Sequence, residues 1–284
     1  MQPPRGMATW VTREVYLPGR GLMTIREASG PAGAPTFVLL HGLAATGRLN
    51  WATSMGTLAE RFHVIVVDHR GHGRGIRTRR FRLADCADDV VAMADALGVE
   101  SLFAVGYSMG GPVAKLTWSR HPDRVRGLVL CATANHFARP EVRGVASAVF
   151  PGVVLAARLV PDLFRNHIID RMIESIPDDE RRAWVRQELA GTDPATIIQA
   201  TRALVRFSSH DWASTISVPT AVVITTRDTL VPARWQYRLA ASIPGARVFE
   251  VSGDHLACVR AADRFVPALL DACEYVQTKA GSRS

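Results

Sequence analysis

Hydrophobic residues in this chain fall into short blocks separated by turn-forming residues, and the blocks are of two kinds. The first kind is an apolar run, continuous at 37–40, 64–67 and 102–105, interrupted by Arg126 and Gly127 in 125–131, closed by Thr225 in 221–225, and with a more polar relative at 247–251. Short unbroken runs read as strands buried on both faces, the habit of parallel sheets covered by helices. Two further segments, 14–17 and 22–27, flank Pro18-Gly19-Arg20-Gly21, a turn signal between two strands. The pattern therefore predicts eight strands.

The second kind has helical spacing. In 85–97 the apolar residues Val90, Met93, Ala94 and Leu97 fall on one face; Asp85 is a candidate N-cap and Gly98 a stop. A second helix is predicted from Met109 to about Arg120, ending before Pro122. Strand-helix alternation of this sort argues for an α/β fold, a mostly parallel sheet with helices on both faces. After Thr133 the alternation breaks. Residues 136–210 read as helical, punctuated by Pro151, Pro161, Pro177 and Pro194 and carrying Phe137, Phe150, Phe164, Trp184 and Phe207. Strand-like sequence resumes at Thr220. The reading is a core of residues 1–135 and 211–284 with a helical insertion, 136–210. A separate helical domain would leave too little sheet on its C-terminal side. There is no internal repeat and no low-complexity tract.

A chain of 284 residues suits one large α/β domain with an insertion. Its formal net charge is +8, carried almost entirely by arginine; Lys115 and Lys279 are the only lysines. Apart from a denser patch at 70–82 the arginines scatter, which describes a solvated surface rather than a nucleic-acid footprint. The four cysteines, Cys86, Cys131, Cys258 and Cys273, form no C-x-x-C pair, and Cys131 closes an apolar strand. No disulfide framework or zinc site is expected, which points to a reducing compartment and a cytoplasmic location. Residues 1–10 hold Pro3, Pro4 and Arg5 with no apolar core behind them, so no signal peptide is expected; Met7 is an alternative start. The longest weakly charged stretch, 145–157, is too short to span a bilayer. The expected partner is a small molecule, and the sequence assigns no oligomeric state.

The strongest chemical signal is Gly106-Tyr107-Ser108-Met109-Gly110-Gly111, a G-x-S-x-G pattern between a predicted strand and a predicted helix. Flanking glycines leave room for a sharp turn that lifts the serine hydroxyl above the sheet, beside the free N–H groups of a helix N-terminus. A serine hydroxyl needs a base, and that base needs an orienting partner. Asp228 follows the strand 221–225, and His255 follows the strand 247–251 in Ser252-Gly253-Asp254-His255. Both then lie on the strand edge that carries Ser108, where open α/β sheets place their sites. A second oxyanion donor, beside the N–H of Met109, is expected from Leu43 in Leu40-His41-Gly42-Leu43. His41 is read as holding that loop. His69 and His72 are read as loop packing rather than metal ligands, for want of a nearby third ligand. Gly71, Gly73 and Gly75 lack the spacing of a dinucleotide fingerprint.

With these motifs, together with Asp68-His69-Arg70-Gly71-His72-Gly73, the chain resembles the α/β-hydrolase superfamily over about residues 13 to 275, close to its esterase, lipase and C–C hydrolase branch. One departure is Arg74, where many relatives have serine. The resemblance implies an eight-stranded sheet with a helical cap after the sixth strand. It implies Ser108 as nucleophile, Asp228 as acid, His255 as base, and the N–H groups of Leu43 and Met109 as oxyanion donors, with no cofactor and no metal. The expected activity is hydrolysis of a carboxylic ester of a small or medium lipophilic molecule. C–C bond cleavage in a diketone-like acid, lactonase, perhydrolase and acyltransferase chemistry, and a non-catalytic binding protein, stay open at this point. The apolar run 145–155 makes a lipophilic group the expected substrate portion, while Arg158, Arg165 and Arg171 are candidates to hold a carboxylate.

Overall fold

A computed structural model of the chain describes residues 10–138 and 179–282. Its strands are β1 (Val11–Leu17), β2 (Gly21–Ala28), β3 (Thr36–Leu40), β4 (His63–Val67), β5 (Leu102–Tyr107), β6 (Val125–Cys131), β7 (Thr220–Thr225) and β8 (Arg247–Val251). They form one eight-stranded sheet in the order β1-β2-β4-β3-β5-β6-β7-β8. β2 runs antiparallel to β1 and β4, and every pairing from β4 to β8 is parallel. The turn at Pro18-Gly19-Arg20-Gly21 closes the β1–β2 hairpin, with Gly19 at φ 71° where a side chain would strain the backbone.

β3 shows why the inner strands are apolar throughout. Val38 and Leu40 pack on one face of the sheet and Phe37 and Leu39 on the other, all fully buried. Successive side chains point to opposite faces, and here helices cover both.

The described helices are α1 (Gly47–Trp51), α2 (Met55–Ala59), α3 (Leu83–Ala96), α4 (Gly110–Arg120), α5 (Asp179–Leu189), α6 (Pro194–Arg206), α7 (Ala233–Ser242), α8 (Ala257–Arg260) and α9 (Ala262–Gly281). α3 starts two residues before the expected N-cap Asp85; Arg82 occupies the cap, and Asp85 lies in the first turn. The buried stripe explains the extension. Leu83, Cys86, Ala87, Val90, Met93 and Ala94 are all buried, so the apolar face runs back through Leu83. Gly98, at φ 69°, follows the end of that helix as expected.

α5 and α6 lie between β6 and β7, within the expected insertion. Asp193 caps α6 through Ala195 N at 3.0 Å, with Pro194 at its first position. The ends of the insertion meet: Ser209 N donates to Asn135 O at 2.9 Å, and His136 bridges to Ser208. The apolar run 145–155 and Arg158, Arg165 and Arg171 lie outside the described residues. No described helix is long and apolar enough to cross a membrane. Cys86, Cys131, Cys258 and Cys273 are buried free thiols.

Candidate active site

Ser108 follows β5 directly and has φ 52°, a left-handed conformation that is costly for a residue with a Cβ. The surroundings hold it there. Ser108 N donates to Cys131 O at 2.9 Å, and Thr133 Oγ1 donates to Ser108 O at 2.8 Å. The glycines make the turn possible. A Cβ on Gly106 would lie 2.2 Å from Gly110 O, and one on Gly110 2.1 Å from Leu40 O.

Asp228 and His255 arrive at Ser108 from the ends of β7 and β8. His255 Nε2 lies 2.9 Å from Ser108 Oγ, and His255 Nδ1 lies 2.7 Å from Asp228 Oδ2. The carboxylate accepts only, so Nδ1 carries the proton and donates to it. Nε2 is then the acceptor for the serine hydroxyl.

The Asp228 side chain is fully buried and densely hydrogen-bonded. Its Oδ1 accepts from Leu230 N at 2.9 Å and Val231 N at 2.8 Å. Its Oδ2 also accepts from Thr225 Oγ1 at 2.9 Å and Gln236 Nε2 at 3.2 Å. These donors stabilise the anion and leave the carboxylate one orientation. Tyr107, next to the serine, donates from Oη to the backbone carbonyl of His255 at 2.8 Å and fixes the histidine loop. Burial pushes the Tyr107 phenol well up, so it stays a donor.

The loop after β3 lies against Ser108: a Cβ on Gly42 would be 3.3 Å from the serine Cβ. Gly42 is held at both its polar groups. Its N–H donates to Asn50 Oδ1 at 3.0 Å, and its carbonyl is 2.7 Å from His41 Nδ1. His41 Nε2 accepts from His69 N at 2.9 Å, so the His41 proton sits on Nδ1 and is donated to Gly42 O. In a trans peptide the C=O of Gly42 and the N–H of Leu43 point in opposite directions. Holding that carbonyl on His41 therefore fixes the direction of the Leu43 N–H. The next residue, Ala44, is itself left-handed at φ 56°.

His41, His69 and His72 are buried against one another, with ring centroids 4.4 Å apart for His41–His69 and 5.2 Å for His41–His72. Burial pushes His41 and His69 well below the usual histidine range and His72 down to about 4, so all three are neutral near pH 7. Among the described residues no group of three or more His, Cys, Asp or Glu is arranged to hold a metal.

Tyr107, Asn50, Thr225 and Gln236 hold the site without being part of any motif that marks a role for them in the sequence. Only Gln236 had a usable signal. It shares the buried stripe of α7 with Leu239 and Ala240, and a polar residue on such a stripe needs a partner.

The chain belongs to the α/β hydrolases: residues 35–261 match the family described as "alpha/beta hydrolase fold". It is 31% identical over 253 residues to a putative carbamate hydrolase, RutD, of Caulobacter sp. (strain K31), covering 85% of this chain and 92% of that one. It is 30% identical over 254 residues to the pimeloyl-[acyl-carrier protein] methyl ester esterase of Chromobacterium violaceum, covering 87% of this chain and 96% of that one. Among solved structures, the enol-lactonase of Burkholderia xenovorans LB400 superposes with a TM-score of 0.76 at 24% identity, over 92% of this chain and all of the other. That last likeness is one of fold.

Proposed function

We propose that this protein is a serine hydrolase that cleaves carboxylic esters of small or medium lipophilic molecules through an acyl-enzyme on Ser108. The observation that carries the reading is the unbroken relay from Ser108 Oγ to His255 Nε2, 2.9 Å, and from His255 Nδ1 to Asp228 Oδ2, 2.7 Å. In it, Ser108 Oγ attacks the ester carbonyl while His255 Nε2 takes the hydroxyl proton. Asp228 stabilises the imidazolium formed. The Leu43 and Met109 N–H groups donate to the oxyanion, a contribution of roughly 3–4 kcal/mol per donor in comparable sites. His255 then protonates the departing alkoxide, and water, activated by the same histidine, releases the acid.

An ester reading is supported by the methyl ester esterase, a relative alike over nearly its whole length. A second reading, hydrolysis of a carbamate, is supported by the RutD relative and uses the same attack on a carbonyl carbon. We assign residues 136–210 as the cap that closes the pocket, supported by the position of α5 and α6 between β6 and β7 and by the meeting of its two ends. We place the protein in the cytoplasm, supported by its four buried thiols.

The test has two parts. A fluorophosphonate should label the protein at Ser108. A panel of p-nitrophenyl esters from acetyl to hexanoyl should show catalytic efficiency rising with chain length, set beside a carbamate and a diketone acid. An unlabelled protein, or one that turns over no uncharged ester, would overturn the ester reading.

A further inference from the structure

The insertion meets the core through buried charges. Glu188, near the end of α5, is 10% exposed in its side chain. Its Oε1 accepts from Arg48 NH1 at 2.7 Å. Its Oε2 accepts from Thr46 Oγ1 at 3.4 Å and lies 3.5 Å from Arg26 NH2. Arg26, on β2, reaches Asp68 Oδ1 at 3.3 Å, and both side chains are buried. Asp68 in turn accepts from Gly47 N at 2.8 Å and Arg74 N at 2.9 Å. Arg48, Glu188, Arg26 and Asp68 thus form a charge-neutral chain of ion pairs. Burying ions is a poor route to stability, since apolar packing of the same volume does as well. What such a set gains is a defined geometry.

The geometry it defines is that of the loop after β3. Glu188 and Asp68 both bind residues 46–48, where that loop ends and α1 begins. At its other end the loop is held through Gly42 by Asn50 and His41. Between the two anchors lie Leu43 and the left-handed Ala44, and a strained residue persists only where its surroundings hold it. The turn after α5 adds a second tie. Gly73 N donates to Thr192 Oγ1 at 3.1 Å and Asp193 N to Gly71 O at 3.0 Å. The loop tied there is the one that bonds His41 through His69 N.

We infer that Glu188 is a positioning residue for the oxyanion-binding peptide Gly42–Leu43, so that α5 is a fixed wall of the reactive site rather than only a cover for substrate. The inference rests on the serine-hydrolase reading above. Neutralising Glu188 leaves Arg26 and Arg48 without their shared anion and lets Arg26 compete with Gly47 N for Asp68. The 42–46 loop then relaxes and the Leu43 N–H turns away from Ser108. That N–H matters most once negative charge has developed on the substrate oxygen. The loss therefore falls on kcat and leaves KM nearly unchanged.

The full-length protein and its Glu188→Gln and Glu188→Asp variants can be compared by the second-order rate of fluorophosphonate labelling. In that step the Ser108 Oγ–P bond forms, the P–F bond breaks with loss of fluoride, and His255 takes the serine proton. We expect Glu188→Gln to label about tenfold more slowly, less than the ~10²–10³ lost on deleting a donor outright. We expect KM for a p-nitrophenyl ester within about twofold of wild type, and recovery of part of the rate in Glu188→Asp. Wild type labelled with Glu188→Gln within about twofold of it overturns the inference and leaves the hydrolase reading standing. So does a tenfold rise in KM at constant kcat, which would make Glu188 part of the cover that binds substrate rather than a residue that positions the oxyanion peptide. Failure to label wild type overturns the hydrolase reading itself, and this inference with it. If Glu188→Gln lacks a cooperative melt, Arg48→Met, whose side chain is 22% exposed, is judged by the same thresholds.

Discussion

The amide nitrogen of Gln236 donates to Asp228 Oδ2 at 3.2 Å, on the same oxygen that receives His255 Nδ1. Gln236 Nε2 also lies 2.8 Å from Val231 O and 2.9 Å from Thr225 Oγ1, and its Oε1 accepts from Thr225 N at 3.1 Å. One buried side chain on α7 thus ties the loop carrying Asp228 to the end of β7. Replacing Gln236 with leucine should leave that carboxylate less well held and lower kcat about tenfold, with KM little changed. Asp228→Asn should lose far more, on the order of 10³–10⁴ in kcat, because an amide supports the wrong imidazole tautomer. Steady-state kinetics with one p-nitrophenyl ester checks both. Normal turnover by Asp228→Asn would assign the role of acid elsewhere.

Ser108 bears both the hydroxyl proposed as nucleophile and a strained backbone. Ser108→Ala should abolish turnover with the fold intact. Ser108→Gly should be equally inactive yet more stable than Ser108→Ala by about 1 kcal/mol, because glycine adopts φ 52° without a Cβ penalty. Urea denaturation of the two variants is the check. Equal midpoints would mean the turn stores no strain at this residue.

Tyr107 Oη holds the carbonyl of His255 rather than its ring. Tyr107→Phe keeps the ring that packs edge-on against His255 and Phe265, at centroid distances of 5.8 and 5.6 Å, and removes only the donor. The expected result is a loss of roughly 1 kcal/mol in stability and a few-fold fall in kcat. An unchanged kcat would show that the histidine loop is held without it.

The parts of this architecture legible in the sequence are those written locally. Each predicted strand lies within an observed one, because a run such as Leu102 to Val105 is apolar for the same reason that it is buried on both faces. Ser108 was legible because its strained turn demands glycines at Gly106 and Gly110, and Asp228 and His255 because each lies a few residues beyond a strand end. The start of helix α3 differs from the expected one because Asp85 offers a cap locally while burial of Leu83 decides the boundary. The contacts that hold the site were not legible. Asn50 reaches Gly42, and Glu188 reaches Arg48 across 140 residues of chain, so no local pattern marks either pair.

The last prediction concerns Lys115, one of the two lysines and wholly buried on α4. Its ammonium donates to Ala134 O at 3.0 Å and Ser209 Oγ at 2.7 Å, where the two ends of the insertion meet, and among the described residues no carboxylate pairs with it. Burial pushes its pKa down to about 7. In the unfolded chain it is an ordinary lysine, near 10.4. Between these values the unfolded state binds the extra proton, so this group makes the protein more stable as pH rises from about 7 towards 10. Below the folded value both states are protonated and the full penalty of a buried charge is present. Lys115→Met removes the titration and leaves Ser209 Oγ its bond to Asn135 Oδ1 at 2.8 Å. Its urea midpoint relative to wild type should therefore be highest near pH 6 and should decline steadily towards pH 9.5, the other titrating groups being common to both proteins. Parallel midpoints across that range would show that Lys115 keeps an ordinary proton affinity in the folded protein, through water reaching the neck of the insertion.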